Sequence, residues 1–308
     1  MTPVILESQL KTLIWGTEQW GISAHPNGDD KVLNPEYEGL TLSALWKEKK
    51  ELFGECRSSV FPLLTKIIDA RDDLSIQVHP DDAYAAKNEN GSLGKTECWY
   101  IMDAEPGTKI VIGHNAKDSA EVRSMIENGQ WSAFIREVTV KKGDFFFIEP
   151  GTVHAIKGGT KILETQQSSD ITYRVYDYGR LQNGKPRELH VKQSIDVIKA
   201  PFVKSEPPLN PSKKITAASN EKNVKQLVSC PLFTVWHADV KGEGGKLEFL
   251  QQKSFMLFSV ISGSVTLVTD ETEKAFSYGE HFIIPAVNSG DSGKFLIKGS
   301  GEMIISCV

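Results

Sequence analysis

The sequence is poor in the features that assign a protein quickly. Its four cysteines, Cys56, Cys98, Cys230 and Cys307, share no CxxC spacing, which excludes a zinc ribbon or a dense disulfide framework. Cys98 and Cys307 stand in apolar, strand-like runs, where buried free thiols are expected. No apolar run reaches the roughly 18 residues of a membrane span. The first residues, MTPVILESQLKTLIWG, have neither the basic nor the apolar region of a secretory signal, and together these point to a reducing cytoplasm. A basic surplus is also missing: Lys and Arg number 35 against 40 Asp and Glu, for a net charge of −5. That excludes a generic binder of nucleic acid or of anionic membranes. Gly at 25 and Pro at 14 are ordinary, which excludes collagenous and low-complexity chains. What is left is a globular composition, 40% hydrophobic and 24% charged over 308 residues. This is enough for one large domain or two, and a chain of this size buries roughly three quarters of its unfolded surface without needing disulfides or metal for stability.

Short apolar runs between Gly and Pro turns dominate the pattern. Leu74-Ser75-Ile76-Gln77-Val78-His79 alternates for six residues and stops at Pro80, as a strand should. Further strands are expected at 98–102, 109–112, 136–140, 145–148, 161–165 and 172–176. The C-terminal third continues with 233–240, 256–261, 264–269, 282–284 and 303–307. Helices are few: one with Leu42, Leu45, Trp46, Leu52 and Phe53 on a single face, one over 116–129 capped by Asn115 or Asp118, and one near 188–199. Residues 204–222 are polar and rich in Pro and Ser, the composition of a linker or long loop. The run Gly143–Pro150 is echoed by Gly279–Pro285, a turn, an apolar strand and a proline. Four residues after each proline stand His154 and Ser289 respectively. The strand repeats and the histidine does not.

Period-2 geometry puts Ser75, Gln77 and His79 on one face of their strand. The polar face of an antiparallel strand is ordinarily solvated. Glu97, however, opens an apolar strand, and His154 follows a Pro-Gly turn after Phe-Phe-Phe-Ile. Charged groups beside such runs are costly without partners. A metal reconciles them, since two His and a carboxylate, with Gln as a weak oxygen donor, suit a borderline divalent ion with open positions. His25, His114, His190, His237 and His281 have no comparable companions. Gly94-Lys95-Thr96 lacks the preceding glycine of a P-loop, so a nucleotide site is rejected.

Three blocks, Ser75-Ile76-Gln77-Val78-His79-Pro80-Asp81-Asp82, Gly94-Lys95-Thr96-Glu97-Cys98-Trp99-Tyr100 and Pro150-Gly151-Thr152-Val153-His154-Ala155-Ile156, resemble the type I mannose-6-phosphate isomerases of the short bacterial kind. Trp15-Gly16, the stretch Trp20–Gly28 and Thr172-Tyr173-Arg174-Val175-Tyr176-Asp177 match as well, in order, over about residues 15–200. The resemblance implies a mainly β fold of two cupin-type jelly-roll barrels with a few short helices. Residues 1–220 would form the catalytic barrel with the metal site, and 221–308 a second barrel without metal ligands. It implies one Zn²⁺ per chain on Gln77, His79, Glu97 and His154, an essential arginine at Arg174, an active-site lysine at Lys95 and a pocket acid at Glu164.

The implied chemistry interconverts mannose 6-phosphate and fructose 6-phosphate by moving a proton between C2 and C1 through a cis-enediol(ate). Glu164 is the first candidate for the base, against an ion pair with Arg174 or a lysine. Arg174 suits a phosphate or enediolate clamp, against a salt bridge to Asp177 or Glu164. Lys95 suits the phosphate, against a solvated loop lysine. Two other readings stay open: an Fe(II) cupin oxygenase, because two His and one carboxylate also make a facial triad, and a non-catalytic sugar-phosphate-binding cupin. The expected partner is a small sugar phosphate, with neither nucleic acid nor membrane. The sequence leaves the oligomeric state open, a monomer being compatible with it.

Overall fold

The alternating and apolar segments fold as strands, and the chain is mainly β. The computed structural model describes residues 1–216, 222–241, 245–287 and 293–308. The division expected between residues 220 and 221, and Ser289, lie outside the described residues. Five short α-helices stand among them, Leu42–Glu48, Asp82–Asn88, Ser119–Glu127, Trp131–Phe134 and Val191–Val197. Contacts group the chain into two compact units, neither continuous in sequence: residues 1–9, 19–66 and 207–308 form one, and residues 10–18 and 67–206 the other.

The unit containing the C-terminal segment is built on one large antiparallel sheet. Its strands run in the order Val224–Ser229, Thr234–Val240, Lys294–Cys307, Met256–Val268, His281–Ile284, Val4–Glu7 and Lys31–Val32. The separate strands expected at 256–261 and 264–269 are one strand, Met256–Val268. Its register shifts between Val260 and Ser262, and Gly263 sits at φ +65°. The glycine is absorbed as an irregularity within a long strand, not spent on a turn. Phe249, Phe258, Phe282 and Phe295 pack in its core, with Phe258 and Phe282 stacked at 4.9 Å. Trp46, Phe53, Phe61 and Phe255 form a second buried aromatic group. Leu42, Leu45 and Trp46 are buried on the first helix as expected, whereas Leu52 and Phe53 follow it in a 3₁₀ turn.

The other unit is built on two larger sheets. One is ordered Ile135–Thr139, Lys109–His114, His154–Ala155, Ile76–Val78, Tyr173–Tyr176; in the other, Phe145–Ile148, Glu97–Ala104 and Thr160–Gln167 are adjacent, with residues 67–70, 16–18 and 10–13 extending it. Among the described residues the pairing closes neither into a ring. Trp99, Ile101 and Ile162 of the second sheet share an apolar cluster with Ile110 and Ile112 of the first, so the two sheets face each other. On its far side the first sheet buries Ile76, Val78, Val111, Ala155 and Val175 with Val122 and Ile126 of the helix Ser119–Glu127. Asp118 caps that helix by accepting from the Glu121 amide at 2.8 Å, and Gly129 follows it at φ +64°. Asn115 donates instead to the carbonyls of Ala133 and Ile135.

Both members of the internal echo are strands, Phe145–Ile148 and His281–Ile284, each preceded by a glycine at positive φ, Gly143 at +88° and Gly279 at +81°. Cys98 and Cys307 are buried thiols outside any disulfide, as expected. Because Phe258 is fully buried among aromatic rings, Phe258→Ala should cost about 3–5 kcal/mol, read as a lowered urea midpoint; a shift under about 1 kcal/mol would contradict this packing.

Candidate metal site

Three adjacent strands of the first sheet bring His154, Gln77 and Arg174 into one row. His154 is directly opposite Gln77, and Gln77 directly opposite Arg174. Residues opposite one another on neighbouring strands project from the same face, here the face turned toward the second sheet. On that second sheet Glu97 is opposite Gln166 and Trp99 opposite Glu164. The polar face of the Gln77 strand is therefore not freely solvated: Ser75 and His79 are buried, and Gln77 and Arg174 are half-buried. His79, Glu97, His154, Lys95 and Glu164 are all buried, Glu97 and His154 completely.

The donor atoms converge. His154 Nε2 is 3.1 Å from His79 Nε2 and 3.3 Å from Glu97 Oε1, and His79 Nε2 is 3.4 Å from Glu97 Oε2. One ligand atom from each of the three residues lies within 4.8 Å of the others. The Gln77 side-chain amide reaches His154 Nε2 at 3.2 Å, and a half turn of that amide offers its oxygen at the same point. His154 Nδ1 bonds the Thr152 carbonyl at 2.9 Å. It can only donate there, which leaves a lone pair on Nε2 for a metal. Glu97 Oε2 has the Lys95 ammonium at 3.0 Å, while Oε1 is buried with no hydrogen-bond partner among the described residues, an oxygen open to a metal. The residues fit a divalent ion.

Electrostatics keep these groups in ligand form. Burial, then Lys95, pushes His79 down to about 3, and burial likewise lowers His154, so both imidazoles are neutral at pH 7. Burial opposes the charge on Glu97, yet Lys95 at 3.0 Å and the two imidazoles hold its carboxyl well below the usual range. Burial works against the Lys95 ammonium too, but Glu97 and then Glu164 more than offset it and hold it above its ordinary value. Lys95 is thus a buried cation and not a solvated loop lysine. Glu164 accepts a hydrogen bond from Trp99 Nε1 at 2.8 Å. Arg174 donates to the Glu188 carbonyl at 2.7 Å, while Asp177, considered above as its partner, is bonded to Arg180 and Arg187.

Sequence reasoning missed the residues that fix the Lys95 loop. The Lys95 amide donates to the Pro80 carbonyl at 3.0 Å, and the Gly94 amide to Asp82 at 2.8 Å. Gln167 accepts from the Thr96 amide at 2.8 Å and donates to the same Asp82 at 3.0 Å. A Cβ on Gly94 would fall 2.4 Å from the Asp81 carbonyl carbon. The Gly-Lys-Thr step thus owes its glycine to close backbone approach and not to a phosphate. The spacing of Asp82 from His79 was available in the sequence; nothing local revealed that it reaches across to Gln167.

Family models described as "Phosphomannose isomerase type I, catalytic domain" and "Mannose-6-phosphate isomerase, cupin domain" match residues 7–133 and 223–308. The chain is 44% identical to mannose-6-phosphate isomerase ManA of Bacillus subtilis, over 94% of this chain and 88% of the relative. It is also 44% identical to the mannose-6-phosphate isomerase of Streptococcus mutans, over 99% and 98% respectively. The crystal structure of mannose 6-phosphate isomerase from Bacillus subtilis superposes with a TM-score of 0.91 at 40% identity, covering all of both chains.

The buried histidines set an acid limit on the metal-free protein. Their folded values lie below the ordinary 6.5, so as pH falls the unfolded chain takes up protons first and stability declines. Each such histidine contributes up to about 1.4 kcal/mol per pH unit, for His79 down to about 3. Glu97, with its depressed carboxyl, adds a loss once pH drops below about 4.5. The urea midpoint of chelated protein should therefore fall steadily from pH 7 to pH 4.5. A flat profile over that interval would show that the imidazoles are not held neutral.

Proposed function

The chain belongs to the type I phosphomannose isomerase family, and from that premise we propose that it interconverts mannose 6-phosphate and fructose 6-phosphate with one Zn²⁺ held by Gln77, His79, Glu97 and His154. The observation that carries this reading is the meeting of two neutral imidazoles, a buried carboxylate and a buried lysine at one point between two sheets. Bound zinc would act as a Lewis acid toward the oxygens of C1 and C2. Side chains do the rest.

Glu164 removes the C2 proton and returns it to C1 through a cis-enediol(ate), while the hydroxyl proton passes from O2 to O1 as the carbonyl moves from C1 to C2. Its Oε2 is held by the Trp99 indole N–H, so the carboxylate is oriented before substrate arrives. Lys95 supplies a fixed positive charge beside the developing oxyanion. Arg174 binds the phosphate or the enediolate: its Nε is buried without a hydrogen-bond partner, a donor left open in a guanidinium suited to bidentate anions. The facing sheets exclude water, which strengthens each of these interactions. The four free cysteines accord with a reducing cytoplasm as the place of action, and residues 221–308 are read as a companion cupin barrel that holds no metal.

A coupled assay for fructose 6-phosphate, paired with metal analysis, tests the proposal. About one zinc per chain is expected, with activity lost on chelation and restored by zinc. Glu164→Gln should lower kcat by about 10²–10⁴-fold with metal content unchanged. His79→Ala should lose both metal and turnover. Chelated protein that isomerises at the full rate overturns the zinc role. Stoichiometric iron with oxygen uptake would favour the oxygenase, and tight binding of mannose 6-phosphate without turnover a sugar-phosphate sensor.

A further inference from the structure

We infer that Asp177 is a positioning residue for Arg174, acting by pinning the segment 178–190 through two arginines; this rests on the role proposed above for Arg174. The segment leaves the end of the Arg174 strand, turns through a small hairpin in which Leu181 pairs with Pro186 and Gln182 with Lys185, and enters the helix Val191–Val197. The hairpin residues 181–186 are all exposed, so the hairpin has little of its own to hold it. Its two ends are held instead. Arg180, just before the hairpin, donates to Asp177 Oδ1 and to the Asp73 carbonyl. Arg187, just after it, meets Asp177 with both Nε, at 2.7 Å, and Nη2. The Asp177 side chain is 5% exposed, and these two guanidiniums hold its carboxyl below the usual range although burial opposes the charge.

What the pinned segment returns to is Arg174. The Glu188 carbonyl accepts from Arg174 Nη1 at 2.7 Å, His190 Nδ1 accepts the Arg174 amide at 3.1 Å, and the His190 amide donates to the Arg174 carbonyl at 2.8 Å. Glu188 adjoins Arg187, so the fork on Asp177 sets where that carbonyl stands. A guanidinium has five N–H donors in a rigid plane. Fixing one of them on Glu188 fixes the directions of the others, including the open Nε. The charges need the same carboxylate. Burial, and next the neighbouring Arg187, push the Arg174 guanidinium below its ordinary value, while Asp177 and Glu188 support its charge. Without Asp177, three arginines would be left close together with Glu188 as the counter-charge, and the segment would lose the bonds at both ends.

The test is a double-mutant cycle with isomerase turnover as the readout. Asp177→Asn should lower kcat/KM by about 10–100-fold, the loss typical of displacing a positioned group, with zinc content retained. In an Arg174→Ala background the same change should cost less than about 3-fold, because the group it positions is gone. Arg187→Met, which leaves Asp177 in place, should show the same pattern and stands in if Asp177→Asn does not fold. Equal losses in both backgrounds would show a merely structural role and overturn the inference, as would full activity of Asp177→Asn and Arg187→Met. Full activity of Arg174→Ala alone would instead bring down the role of Arg174, and this inference with it.

Discussion

A carboxylate with no exposed surface is the constraint on which the site depends. An ionised group in a dry interior is costly unless a charge or a metal answers it, and Glu97 is answered by Lys95 at 3.0 Å and flanked by two imidazoles. That arrangement holds only if Lys95 cannot swing away, so its loop is tied through its own amide to Pro80, through Gly94 to Asp82, and through Thr96 to Gln167, which also bonds Asp82. The ties also bind the chain after His79 to the chain before Glu97. His79 and Glu97, two members of the candidate metal site, are thereby fixed relative to each other by the fold itself. In the same region the Gly151 amide donates to the His79 carbonyl, so the turn leading into His154 is anchored on His79 as well. The cluster is preorganised by backbone bonds together with the side chains of Asp82 and Gln167.

Much of this was legible in the sequence, for identifiable reasons. Alternation on 74–79 put Gln77 and His79 on one face, and the structure keeps them there. Turn residues bounded the strand at 145–148, and Asp118 announced the helix that follows it. Burial of the site was not legible. Lys95 reads as a loop lysine, because what buries it is a sheet contributed by residues 97–104 and 160–167, far along the chain from the Gln77 strand. The strand Leu63–Ala70 was overlooked because nearly all of it is buried; a strand covered on both faces shows no alternation. Nor could spacing say which charges pair. Arg174 and Asp177 are three apart on or beside one strand, yet Asp177 faces Arg180 and Arg187. The bidentate bond of Arg187 spans ten residues through a hairpin that only the folded chain closes.

The internal echo shows how much of a site a shared strand does not supply. His281 opens the strand of the second copy, and it is buried like His79 and His154, with burial pushing its pKa down to about 4. Its Nδ1 meets Ser259 at 2.8 Å. Its other side meets backbone: a Cβ on Gly21 would lie 2.2 Å from His281 Nε2. This imidazole is packed as a core side chain, with no carboxylate brought to it among the described residues. A turn, a strand and a buried histidine do not by themselves make a candidate metal site; beside the first copy a second strand also brings the Glu97 carboxylate within 3.3 Å of His154.

The interleaving of the two compact units bears on how the chain can be made. Residues 10–18 and 67–206 are all available once residue 206 has left the ribosome. The unit containing the strand Val4–Glu7 must wait, because Val4 and Ile5 pair with Ile283 and Phe282. Synthesis therefore delivers every residue of the candidate metal site while the earliest strand still lacks its neighbour. That strand edge stays open until the last third of the chain emerges, which makes the N-terminal segment the part most exposed to mispairing during synthesis.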